Sequence, residues 1–308
     1  MTGGGKAKRP VLLVVGAGGQ IGREFSRAPG ASRFALSLLD RRALDICEQS
    51  AVAAAFERLR PAAVVNAAAY TAVDRAETDE VACFAVNRDG ARNLALACAA
   101  FGVPLIHIST DYVFDGRKRG AYVEEDPIAP LGIYGRSKAE GEIAVCAEIS
   151  QHVILRTAWI FGVHGKNFVK TMLRLGAERN VIRVVDDQRG CPTAAGDVAA
   201  AILHIARRLL LEGTESYGTF HFAGQGATTW FGFAEAIFDL AARFGQSRPK
   251  LVPILTSDYP TPARRPLNSV LGCAAFTTTF GMPLPPWRDS LKAVVGELVS
   301  MNEAAQAR

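Results

Sequence analysis

Val11-Leu12-Leu13-Val14-Val15-Gly16-Ala17-Gly18-Gly19-Gln20-Ile21-Gly22 decides the fold. Consecutive apolar residues without polar alternation are the pattern of a strand buried on both faces of a parallel sheet. Glycines 16, 19 and 22 then fall between that strand and a helix, the context that turns a glycine pattern into a dinucleotide site. Small residues let the backbone close on a pyrophosphate, whose charge is met by free amides at the helix start. Gly16, Gly19, Gln20, Ile21 and Gly22 are therefore candidate cofactor contacts, with a bare tight turn as the alternative.

Outward from this turn, buried runs recur at Phe34–Leu39, Ala62–Val65, Val103–Ile108 and Val153–Thr157, with helical stretches such as Gln49–Leu59 and Cys83–Phe101 between them. That alternation predicts right-handed βαβ units and an α/β Rossmann fold, a doubly wound parallel sheet. Thr219–Ala223 is expected at the sheet edge, and Asp197–Leu211 as a helix covering the sheet. After Trp159 the alternation loosens, and Pro249, Pro253, Pro260, Pro262, Pro266, Pro283, Pro285 and Pro286 gather. Residues 10–165, joined by 194–224, are expected to bind dinucleotide. Residues 166–308 are expected to form mainly a smaller, discontinuous, loop-rich substrate lobe.

The 308 residues carry a formal net charge of +5, but Lys6, Lys8 and Arg9 supply three of those charges, and the remainder is nearly balanced. Nucleic-acid binding has no support in that balance. Met1–Arg9 reads as a disordered leader without the apolar region of a secretion signal, and a cytoplasmic location is expected. Gly102 and Pro104 split the apolar stretch Leu94–Thr110, so no membrane-spanning helix is expected. Cys47, Cys83, Cys98, Cys146, Cys191 and Cys273 show no zinc spacing and read as reduced. His107 reads as core, and His152, His164, His204 and His221 lack ligand spacing, so no metal site is expected.

Asp40 ends the second strand, where a carboxylate would bond an adenosine ribose and favour NADH; Arg41 and Arg42 would instead clamp the extra phosphate of NADPH. Ala67, Ala68 and Ala69 offer a flat wall for the cofactor or, alternatively, a packing seam. Asn87 is a candidate for orienting backbone near the site. Ser109-Thr110 closes an apolar run, and Tyr134 and Lys138 stand one turn apart on one helical face. A phenol ordinarily titrates near ~10, and a neighbouring ammonium stabilises its anion. Hydroxyl pair, phenol, ammonium and dinucleotide turn together predict a nicotinamide-dependent oxidoreductase.

These residues resemble the extended short-chain dehydrogenase/reductase superfamily and, within it, the dTDP-4-dehydrorhamnose reductase family. The likeness runs through Asn66–Asp74, Ser109–Gly116, Tyr134–Lys138, Arg156–Trp159, Asn167-Phe168, Asp187–Thr193 and Arg265–Ser269. It implies reduction of a dTDP-4-keto-6-deoxy sugar by NADPH or NADH, with Tyr134 as proton donor, Thr110 on the carbonyl oxygen, and Lys138 on the nicotinamide ribose. It places Asp45 and Ile46 beside the adenine, and Val73, Thr110, Tyr112, Phe114, Trp159, Asn167 and Arg265 around the substrate. Asn167 would touch the nucleotide and Arg265 its diphosphate. Similar 4,6-dehydratases carry Glu where this chain has Tyr112, so elimination lacks its base and simple reduction is expected. Some family members bind magnesium through glutamates at a subunit contact. Glu24 fits one such position, whereas Ala194-Ala195-Gly196 lacks the other carboxylate and leaves magnesium unsupported. The implied partner is the dTDP-sugar, for a monomer or homodimer. The rival readings are a sister reductase of another stereochemistry and a non-catalytic dinucleotide-sensing subunit.

Overall fold

The structure, a computed structural model, describes residues 9–306, with side-chain surroundings through Met301. The leader read over Met1–Arg9 lies outside the described residues except for Arg9, whose guanidinium donates to Ser32 O at 3.1 Å.

Six parallel strands form the central sheet: β1 (Val11–Val15), β2 (Ala35–Leu39), β3 (Ala63–Asn66), β4 (Leu105–Thr110), β5 (His152–Thr157) and β6 (Gly218–His221). Their order across the sheet is β6-β5-β4-β3-β1-β2. Strand β1 is a continuous run of Val and Leu, and β3 and β4 bury Val64, Val65, Leu105 and Ile106, because helices cover both faces. Leu12, Val14, Val65 and Ile106 pack on one side with the helix Ala195–Leu211; Leu13, Val15, Val64 and Leu105 pack on the other with Gln49–Leu59 and Gly90–Phe101. Because β1 pairs β2 on one edge and β3 on the other, the chain reverses its direction of travel there, and a crevice opens at the strands' carboxyl ends. Both Gly16–Gly22 and Ala67–Ala69 emerge into that crevice.

The single helix expected at Cys83–Phe101 is interrupted. Glu80–Phe84 is α-helical, Ala85–Asp89 makes a π turn, and Gly90–Phe101 resumes the α-helix. The buried Asn87 occupies the π turn, a distortion that recurs at functional sites. The part after Trp159 is more regular than its prolines suggest. It holds the helices Phe168–Glu178, Trp230–Ala242 and Trp287–Gln306, and a parallel strand pair, Val181–Val185 with Lys250–Ile254. A second core of Phe161, Phe233, Phe238, Trp287 and Leu291 holds this part together.

Candidate active site

The glycine turn is tight for a steric reason. Gly16 has φ of 78°, and a Cβ there would lie 2.4 Å from the Ala68 backbone nitrogen; one at Gly22 would lie 2.4 Å from Gly16 O. Only glycine lets the two strand ends and the helix converge. The result is one wall of a cleft of about 890 Å³, lined there by Gly18, Gly19, Gln20 and Ile21, with Ala67, Ala68 and Ala69 beside them. The same cleft is lined by Val73, Thr110, Tyr112, Tyr134, Lys138, Trp159, Asn167 and Arg265.

Tyr134 opens the helix Ile133–Glu148, and Lys138 follows one turn later. The helix reaches the Thr110-Asp111-Tyr112 turn because residue 135 is glycine: a Cβ there would lie 2.3 Å from Tyr112 O. Thr110 Oγ1 donates to Asp111 Oδ1 at 3.0 Å and accepts from Tyr112 N at 3.2 Å. Burial pushes the Tyr134 phenol above its ordinary range, opposed by a Thr110 hydrogen bond, so the phenol holds its proton at neutral pH. Burial pushes the Asp111 carboxyl up to about 6, and its Oδ2 has no protein partner. Lys138 is nearly inaccessible; its Nζ donates to Ile108 O at 2.7 Å and lies 3.2 Å from His107 Nε2. Burial pushes this amine down to about 8.

The residues expected at the adenosine, Asp40, Arg41, Asp45 and Ile46, stand beyond the glycine turn. A Cβ at Gly18 would be 3.4 Å from Asp40 Cβ, while Asp40 Oδ1 accepts from Arg42 N and Ala43 N, both at 3.0 Å. Asp45 caps its own turn through Cys47 N at 3.0 Å and pairs with the exposed Arg41 at 3.3 Å. Ile46 is buried under Gly90, and its carbonyl accepts from Asn93 Nδ2 at 2.9 Å. This leaves a carboxylate and two exposed guanidinium groups beside the turn, a set that suits either ribose form.

Trp159 has φ of 48°, a backbone strain that non-glycine residues rarely carry and that concentrates at functional sites. Its ring stacks on Trp230 with centroids 3.5 Å apart, and its Nε1 donates to Ser269 Oγ at 3.2 Å. Trp230, absent from the sequence reading, also faces the cleft. Its distance along the chain from any motif hid it. Asn167 is a helix cap, accepting from Lys170 N at 3.1 Å, and at the same time donates to Gln20 Oε1 at 2.9 Å, joining the glycine turn to the opposite wall. Arg265 grips Asp74 with two bonds of 2.8 Å, which hold that carboxyl below its usual range. Phe114 is not brought to the cleft wall: it is fully buried, stacked on Tyr122 at 4.2 Å, because it serves as packing beneath Arg156.

Asn87 joins three elements. Its Oδ1 accepts from Tyr70 N at 2.8 Å, and its Nδ2 donates to Tyr70 O at 3.1 Å and to Ser137 Oγ at 2.9 Å. It thus ties the segment after the alanine wall to the helix bearing Tyr134 and Lys138. Behind that helix lies a buried polar network of Ser109, Glu142, Arg156 and His221, extended by the half-buried Glu124. Burial, followed by the Arg156 charge, pushes His221 down to about 4. The unfolded chain therefore binds the extra proton first, and stability is lost as pH falls from about 6.5 through 4. The loss expected from His221 is about 3 kcal/mol. His221→Gln should remove that part of the pH dependence in denaturant titrations across this window. An unchanged dependence would show that His221 is not its source.

The family model described as RmlD substrate binding domain matches residues 10–300. A dTDP-4-dehydrorhamnose reductase of Sinorhizobium fredii is 44% identical over 289 residues, covering 94% of this chain and 97% of that one. The chain belongs to the dTDP-4-dehydrorhamnose reductase family. A family member from Bacillus anthracis, solved in complex with NADP, superposes with a TM-score of 0.87 at 35% identity, covering 94% of this chain and 99% of the other. A relative from Streptomyces antibioticus, named a probable dTDP-4,6-dihydroxy-2-methyloxan-3-one 4-ketoreductase, is 39% identical over 298 residues, covering 96% of this chain and 98% of its own.

Among the described residues, the carboxylates expected for magnesium are not assembled into a ligand set. Glu24 is buried beside Gly162 and Gly196, and Arg27 already brings the cation: its Nε lies 3.5 Å from Glu24 while its amino groups bond Glu297 twice at 2.7 Å. Among the described residues, no cluster of three His, Cys, Asp or Glu side chains could hold a metal ion.

Proposed function

We propose that this protein reduces dTDP-4-dehydrorhamnose to dTDP-L-rhamnose using NADPH or NADH. The observation that carries this reading is the convergence of Thr110, Tyr134 and Lys138 on the cleft that also holds the glycine turn and the alanine wall, in a chain of this family. The dinucleotide, when bound, supplies the hydride. Gly18, Gly19, Gln20, Ile21 and Ala67–Ala69 hold it, with Asp40 and Arg41 at the adenosine ribose. Thr110 bonds the ketone oxygen, Tyr134 gives its proton to the oxygen as it becomes an alcohol, and Lys138 stabilises the phenolate left behind. Val73, Tyr112, Trp159, Asn167 and Arg265 surround the dTDP-sugar. Tyr112 stands where a dehydratase needs a base, and burial pushes its phenol above the ordinary range, so it cannot take a proton from carbon at neutral pH. Residues 10–165 with 194–224 bind cofactor in this reading, and the remainder mainly binds sugar nucleotide. The charged reactants support a cytoplasmic location for the reaction.

Purified protein supplied with dTDP-4-dehydrorhamnose should consume NADPH or NADH, followed separately by absorbance, and release dTDP-L-rhamnose. No consumption with that substrate or its C5 epimer would sink the reading. The Streptomyces relative supports a second reading, a sister 4-ketoreductase; the configuration at C4 of the product separates the two.

A further inference from the structure

His107 is hidden inside β4, yet its ring is bonded at both nitrogens. Asn66 Oδ1 accepts from Ala68 N at 3.1 Å, which fixes the amide so that Nδ2 donates to His107 Nδ1 at 3.0 Å. Burial keeps the ring neutral, well below its ordinary range. A ring nitrogen that accepts carries no hydrogen, so the hydrogen is on Nε2. That Nε2–H faces Lys138 Nζ at 3.2 Å. A neutral amine offers it a lone pair; an ammonium has three donors and no acceptor.

We infer that His107 is a positioning residue that sorts the two forms of Lys138, retaining the neutral amine against β4 and releasing the ammonium to the dinucleotide cleft. The inference rests on Lys138 serving the cofactor as proposed above. Above the midpoint, binding of the anionic cofactor would then be accompanied by uptake of one proton from solvent, amine to ammonium. The other groups around Lys138 are Glu142 and Tyr134 on its own helix and Cys83 on Glu80–Phe84, with His152 beside the His107 ring. Glu142 and Cys83 favour the ammonium, and burial opposes it, leaving the balance near pH 8.

The test is the dissociation constant of NADPH for the full chain from about pH 6.5 to 9.5. In the wild type it should rise up to about tenfold per pH unit above the midpoint, the slope for one linked proton. Asn66→Asp presents only acceptors to His107 Nδ1, which reverses the tautomer and turns a lone pair toward Lys138. His107→Gln offers a carbonyl oxygen there. Both should move the midpoint upward by about one pH unit or more, whereas a merely structural role would weaken binding at every pH without moving the midpoint. Midpoints equal to the wild type in both variants would overturn the inference. So would ¹⁵N spectra of the unliganded wild type placing the His107 proton on Nδ1, a measurement that needs no variant. Lys138→Met separates the two readings: loss of the pH dependence identifies Lys138 as the titrating group, and persistence of the wild-type midpoint overturns the role of Lys138 itself.

Discussion

Tyr134→Phe is expected to lower kcat by roughly 10² to 10⁴, the span that a positioned proton donor contributes. The substitution removes one oxygen and leaves the ring, which packs edge-on against Tyr112 with centroids 5.7 Å apart. Thr110, the alanine wall and the glycine turn keep their places, so NADPH affinity and the KM for the sugar nucleotide should change by no more than a few fold. A fall in kcat with KM intact is the signature of an interaction made only in the transition state. Steady-state kinetics at saturating cofactor measure it, and an activity within about threefold of wild type would remove Tyr134 from the role. The wild-type phenol is held protonated by burial, so it arrives at the reaction as an acid. The stabilising charge is needed only for the phenolate that remains.

The parallel sheet was legible because burial on both faces leaves a local mark. The run at Val11–Val15 is apolar throughout and that at Val103–Ile108 is broken only by His107 among its non-proline residues, and the turn after the first is spelled in glycine. The helix bearing Tyr134 was harder to read, because Ala139 and Val145 are the apolar side chains on a hidden side otherwise made of Gly135, Ser137, Lys138, Gly141 and Glu142, too few for an apolar stripe. The Tyr/Lys spacing identified it instead. The π turn at Asn87 could not be read from its own segment, since its partners are Tyr70 and Ser137. The same holds for the strands Val181–Val185 and Lys250–Ile254, which need each other across a long interval. His107 was assigned to the core, correctly as to burial. Its link to Lys138 depends on Asn66, a residue on another strand. Phe114 is the opposite case. It sits in a functional motif, yet its side chain turns into the packing while the neighbouring backbone shapes the site.

Glu142→Ala is expected to destabilise the fold by about 3 to 5 kcal/mol, because it strands a buried guanidinium. Arg156 and Glu142 are each only 3% exposed, joined by bonds of 2.7 and 3.0 Å. The remaining partners of Arg156, Glu124 O and His221 Nε2 at 3.4 Å, carry no negative charge to replace the carboxylate. For a chain of this size the midpoint of thermal unfolding should drop on the order of 10 °C, and guanidinium titrations should show the same loss. The double variant Glu142→Met, Arg156→Met removes both charges and should recover much of the stability, since an ion pair out of water costs desolvation that an apolar pair does not. A loss below about 1 kcal/mol for Glu142→Ala would show that water reaches Arg156 and that the pair is not the clamp described here. Tyr134, Lys138 and Glu142 succeed one another at four-residue intervals on one helix, and Glu142 binds Arg156 on β5 and Ser109 on β4. Loosening the pair should therefore also lower kcat in the protein that remains folded. The ion pair holds the phenol and the amine in register with the strand end that carries Thr110.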